Sequence, residues 1–204
     1  MTRSSLPIVV AVLSACAAAA PAPPAPPPAA PPPAARADTV TPRGAAADVR
    51  FLQGMIGHHA QALVMTALVP SRTARQDVRL LAERITASQE SEIAQMQQWL
   101  RARGHAVPDP AAHAHHHGGA DAASMPGMAT QEELARLAAA SGAEFDRLFL
   151  ELMIRHHEGA LTMVAELLAT SGAAQEPQLF RLASDVDADQ RAEIARMRAM
   201  QIPR

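Results

Sequence analysis

The chain reads as an all-α protein, a four-helix bundle built from two repeated αα-hairpins. Three observations predict it. The 204 residues contain no Tyr, one Trp, four Phe and ten Met, a composition that favours packed helices over sheets of aromatic and β-branched residues. Phe51 to Met65 (FLQGMIGHHAQALVM) and Phe149 to Met163 (FLELMIRHHEGALTM) share the pattern F-L-x-x-M-I-x-H-H-x-x-A-L-x-M. A second pair, Leu81 to Met96 (LAERITASQESEIAQM) and Leu182 to Met197 (LASDVDADQRAEIARM), follows with a slightly larger offset. Each repeat is thus a helix, a loop near Ser71 to Arg75 or Ser171 to Glu176, and a second helix.

The N-terminal elements precede any core. Arg3 with the apolar run Leu6 to Leu13 predicts an export signal over residues 1–15, too short to span a bilayer. Leu13-Ser14-Ala15-Cys16 has the form of a bacterial lipobox, which makes Cys16 the expected lipidation point and the sole membrane anchor. Ordinary cleavage nearby would instead leave a free periplasmic protein. Cys16 is the one cysteine in the sequence, so the mature domain has no thiolate ligand and no disulfide. Residues 16–43 are dominated by Ala and Pro, a stiff spacer that cannot pack.

The bundle is expected over residues 44–203, with repeats at 47–103 and 130–201. Thr130 with Glu133, and Ser141 with Glu144, both fit a capping box. Gly142 is placed to separate a short lead-in helix from the third long one, and Pro177 suits a first helical turn. The connection 104–129 lacks apolar periodicity and carries His113, His115, His116 and His117, followed by Met125 and Met128. Clustered loop histidines read as a secondary metal-capture site.

Helical spacing places a polar stripe inside. Asp48, Phe51, Met55, His58, Ala62 and Met65 follow seam steps of three and four, and Asp146, Phe149, Met153, His156, Ala160 and Met163 repeat them. The partner helices offer Ile85, Gln89, Glu92, Met96 and Trp99, matched by Val186, Gln190, Glu193, Met197 and Met200. A buried carboxylate requires a cation, a histidine proton or a metal, so Glu92 and Glu193 need such a neighbour. A methionine stripe alone reads as adaptable core. The recurrence of Met55, His58, His59 and Met65 as Met153, His156, His157 and Met163 points instead to imidazole nitrogen with soft sulfur, a donor set suited to Cu(I). Bundle iron or manganese sites want Glu-x-x-His pairs, and neither Glu92 nor Glu193 has a histidine three residues on.

A formal net charge of −2 leaves no basic field for nucleic acid. Two rival readings stand beside metal binding. One is a bundle oxidase or hydrolase using His58, Glu92, His156 and Glu193 on a redox metal. The other is an envelope scaffold whose histidines only satisfy buried carboxylates.

At these residues the chain resembles the bacterial family catalogued as domain of unknown function 305, whose signature is Met-Ile-x-His-His followed by a Gln-x-x-Glu-Ile-x-x-Met helix. The likeness covers about Ala47 to Leu100 and Met125 to Gln201 and is densest at Gly142 to Ala160. It implies a ferritin-like four-helix bundle, a periplasmic or secreted location and copper binding of the kind some relatives perform. It further implies the ligands Met55, His58, His59 and Met65, then Met153, His156, His157 and Met163, with Met96 and Met197 reaching across. The first repeat departs from the family form, with Ala60-Gln61 where the second has Glu158-Gly159.

Overall fold

The computed structural model describes residues 42–110 and 125–201. The signal segment, Cys16 and most of the spacer lie outside these residues, as do His113, His115, His116 and His117. Every regular element described is helical: α1 Pro42–Arg72, α2 Gln76–Ala102, the short α3 Gln131–Ala139, α4 Gly142–Ala169 and α5 Pro177–Met200. The first helix begins inside the segment read as spacer. None of these helices is long and apolar enough to cross a membrane.

Local chemistry sets the boundaries. Thr130 and Glu133 form the expected reciprocal capping box on α3, and Pro177 occupies the first turn of α5, where its missing N–H costs nothing. Ser141 is the residue before α4 but makes no side-chain cap bond, contrary to the capping box expected there. The reason lies next to it. Gly142 enters the helix at φ +58°, a left-handed turn that breaks α3 from α4 and leaves the Ser141 hydroxyl out of register with the N–H groups it would cap.

α1 packs on α2, α4 on α5, and α1 on α4; α2 and α5 touch more lightly. Two apolar clusters fill the interior. One joins the C-terminal half of α1 (Met65, Val69) to the start of α2, the start of α4 (Phe145, Phe149, Met153) and the end of α5 (Ile194, Met197). The other joins the first half of α1 (Phe51, Leu52, Met55) to the end of α2 (Met96, Trp99), the end of α4 and the start of α5. Neighbouring long helices are therefore antiparallel, and the two hairpins are related by an approximate twofold axis perpendicular to them. Duplication explains the symmetry, and the symmetry puts the midpoint of every long helix at one level.

A histidine layer as candidate metal centre

That level holds the polar residues. His58, His59, His156, His157, Gln89, Gln190, Glu92 and Glu193 are all buried, between the two apolar clusters. All four imidazoles are fully enclosed. They form a row: ring centroids lie 6.4 Å apart from His59 to His58, 3.8 Å from His58 to His156 and 6.1 Å from His156 to His157.

The outer members of the row meet the carboxylates. His59 Nε2 is 2.6 Å from Glu92 Oε2, and His157 Nε2 is 2.8 Å from Glu193 Oε2. This resolves the question posed by two inward glutamates: each has a histidine from its own hairpin. The inner members donate to backbone. His58 Nε2 donates to the Pro126 carbonyl at 3.0 Å and His156 Nε2 to the His58 carbonyl at 2.9 Å. A carbonyl only accepts, so the proton on each inner ring sits on Nε2, and Nδ1 carries the lone pair. All four Nδ1 atoms are buried and hydrogen-bond to no protein atom, and both Gln89 and Gln190 amides are likewise unpaired with protein. Buried polar groups are ordinarily satisfied. Four unpaired imidazole nitrogens at one level, with oriented carboxylates behind two of them, match the arrangement in which a carboxylate orients a histidine toward a metal.

Burial favours the uncharged forms of His58, His59, His156 and Glu92. Burial, reinforced by the neighbouring His59, drives the His58 pKa down to about 3, and burial with His157 nearby takes His59 to about 3. His156 is pushed well below the usual imidazole value, first by burial and then by His58. Burial, with Asp189 and Glu193 adding repulsion, raises Glu92 to about 8. The pH consequence follows from proton counts. The His59–Glu92 pair holds one proton from about pH 3 to 8 when folded, whichever atom carries it. The unfolded pair holds two below about pH 4.5, one up to about 6.5 and none above. His58 and His156 bind protons only on unfolding below about pH 6.5, which removes stability as pH falls. Stability of the metal-free protein should therefore peak near pH 6.5, dropping by up to ~3 kcal/mol per pH unit on the acid side and ~1.4 toward pH 8. Urea midpoints from pH 4.5 to 8.5 check this; a flat profile would contradict a neutral, buried layer.

The methionines divide by level rather than by repeat. Met55 and Met96 are fully buried on one side of the histidines, with half-buried Met163 packed against them. Met65, Met153 and Met197 are fully buried on the other side. Sequence spacing groups Met65 with His58 and His59, but six residues from His59 carry it about 9 Å along the helix, into the layer of the second repeat. Each side of the row thus receives sulfur from both repeats. Among the described residues no three His, Cys, Asp or Glu side chains already stand together as a metal-holding group. The donors brought to this level are imidazole nitrogen and thioether sulfur, a set of the kind that soft ions accept.

Sequence reasoning did not anticipate the strap that closes one flank of the layer. Residues 125–130 cross α1 and α4, clamped by two hydrogen bonds: the Gln61 side-chain amide donates to the Ala129 carbonyl (2.9 Å) and accepts from the Ala129 N–H (2.7 Å). Arg155 on α4 fixes the adjoining α3 through Glu133 at 2.7 Å. Gly127, at φ +77°, lies against Gly159, and only glycine on α4 leaves room for the Pro126 carbonyl. The Gln61 and Gly159 that distinguish the two repeats are thus the two halves of one clasp. The signal was that very departure from symmetry.

A family profile for a domain of unknown function, DUF305, matches residues 48–201. Among solved structures, a DUF305 fragment from Deinococcus radiodurans is 35% identical, with 79% of this chain and 96% of that one covered and a TM-score of 0.65. A candidate secreted DUF305 protein from Streptomyces coelicolor is 30% identical over 76% of this chain and 91% of its own, at a TM-score of 0.63. CopM in its Cu(II)-bound form is 29% identical over 75% and 94%, at a TM-score of 0.60. Its Cu(I)-bound and Ag-bound forms are similar too. A search of curated proteins finds no match. With a profile match spanning most of its length and the histidine-bearing helices within it, the chain belongs to the DUF305 family.

Proposed function

We propose that this chain is an exported metal-binding protein that sequesters or passes on Cu(I) in the cell envelope, and that it is not a catalyst. The observation that carries the reading is the row of four buried histidines whose Nδ1 atoms are all unpaired with protein, flanked on both sides by buried thioethers. The ion would sit between His58 or His156 and the sulfur of Met55 with Met96, or of Met153 with Met197. Met163 and Met65 complete the two sulfur sets, and Glu92 and Glu193 orient His59 and His157. Similarity to CopM, solved with Cu(I), Cu(II) and Ag, supports the metal class. His113, His115, His116 and His117 would act as a weaker capture loop. Export through the N-terminal signal, with lipidation at Cys16, would hold the domain at the membrane.

Competition decides the metal. Cu(I) presented by a chromophoric chelator should be withdrawn by the apo protein and should resist an equal concentration of Zn(II), because zinc gains little from thioethers. Zinc retained equally or more tightly would overturn the copper reading.

A further inference from the structure

The two flanks of the histidine layer are unlike. The α1–α4 side is closed by the clasped strap of residues 125–130. On the opposite side, where α2 and α5 touch lightly, a groove of about 370 Å³ runs between the helices, lined by Ser88, Ser91, Glu92, Gln95, Asp185 and Asp189 among others. Leu182 and Ala188 add apolar wall between these polar side chains. The floor of the groove is Glu92, only 4% exposed, whose Oε2 meets His59 while the buried Oε1 has no protein partner. Asp189 accepts a long hydrogen bond from Ser88 at 3.5 Å, and Asp185 stands exposed one turn earlier on α5.

The internal repeat supplies its own comparison. Asp185 corresponds in the first repeat to Arg84, Asp189 to Ser88, and Gln95 corresponds in the second to Arg196. The twofold therefore carries Asp185 beside Glu92 onto Arg84 beside Glu193 and Gln95 onto Arg196, both arginines exposed, while Ser88 and Asp189 meet between the two flanks. Packing does not account for this difference, because the buried residues of the two helices stay matched: Ile85 with Val186, Gln89 with Gln190, Met96 with Met197. The charge differences fall at groove and surface positions, and their sign favours a cation on the Glu92 side over the Glu193 side.

We propose that the α2–α5 groove on the Glu92 side is the port by which a soft monovalent cation reaches the histidine layer, with Asp185 and Asp189 drawing it in and Glu92 Oε1 as the first buried atom it meets. The proposal rests on the metal-binding reading and adds the route. Asp185 and Asp189 are steering residues: they raise the local cation concentration at the mouth and contribute little to the bound state. Their effect belongs in the association rate and is screened by salt.

The test uses Ag(I) supplied as nitrate to the full chain, followed by stopped-flow fluorescence of Trp99, which lies in the same apolar layer as Met55 and Met96. Asp185→Asn with Asp189→Asn should slow uptake about fivefold at ~10 mM sodium nitrate and less than about twofold at ~500 mM, with the amount bound at equilibrium unchanged. Glu83→Gln with Glu90→Gln removes the same net charge from the groove between α1 and α2 and should leave the rate near wild type. Circular dichroism checks that all variants remain helical. Equal slowing by both pairs, or no slowing by the aspartate pair while wild type loads normally, would overturn the port alone. Wild-type protein that takes up no Ag(I) would overturn the metal-binding reading and the port with it.

Discussion

Gly159→Ala should destabilise the protein by about 2–3 kcal/mol, lowering its melting temperature by about 5–10 °C at this chain length. The sign is the informative part. In an ordinary helix interior, alanine for glycine stabilises by about 1 kcal/mol, and Gly159 lies in the middle of α4. A β-carbon there, however, would overlap the Pro126 carbonyl and come within 2.8 Å of Gly127 Cα. Both are backbone atoms of a segment held by the Gln61 clamp and the His58 bond, so the strap cannot yield without losing them. Gly54→Ala is the control. Its β-carbon would meet only the ends of flexible side chains, Met163 Cε at 3.3 Å and Met125 Sδ at 3.6 Å, so it should be neutral or slightly stabilising. Thermal unfolding of the two variants side by side separates a seated strap from a loosely attached one. Equal stabilisation by both would mean that the strap does not rest on α4.

His58→Leu combined with His156→Leu should weaken Cu(I) binding at the tightest site by at least about 100-fold, since changes behind a metal ligand alone cost ~10–100-fold. The same double variant should lose much of the acid sensitivity of the apo protein, because two groups that take up protons only on unfolding are gone. Far-UV circular dichroism, urea unfolding at pH 5 and chelator competition together check it. A variant that binds Cu(I) as wild type does would remove the inner histidines from the site. A variant that fails to fold would show that their bonds to the Pro126 and His58 carbonyls hold the bundle, and His58→Gln with His156→Gln then tests the metal role in a polar background.

The bundle was legible because the signals were local and doubled. Seam spacing, hairpin loops, the Thr130 box and the Pro177 start each act within a few residues, and the repeat shows each helix type twice. The inward position of Gln89, Glu92, Gln190 and Glu193 also followed from spacing. What spacing did not show was which methionine shares a level with which histidine, because that depends on how the second hairpin is turned relative to the first. A perpendicular twofold sends Met65 to Met153 and Met197, and nothing within one helix encodes it. The strap was hidden for a similar reason. Its partners, Gln61 with Ala129, His58 with Pro126 and Gly127 with Gly159, lie 68, 68 and 32 residues apart, and the segment itself has no periodicity. Ser141 failed as a cap because the conformation of Gly142, not the Ser-x-x-Glu pattern, governs where its hydroxyl points.

In the proposed site, histidine nitrogen and methionine sulfur share one soft ion at the middle of the bundle. Copper K-edge absorption fine structure on full-length protein loaded with a single equivalent of Cu(I) tests it most directly, because it reads the donor atoms themselves. Both a sulfur shell and imidazole scattering should appear in that first equivalent, with the imidazole contribution lost in the His58→Leu and His156→Leu double variant. A first equivalent bound by nitrogen and oxygen alone, unchanged in that variant, would place the metal elsewhere and leave the buried methionines as core.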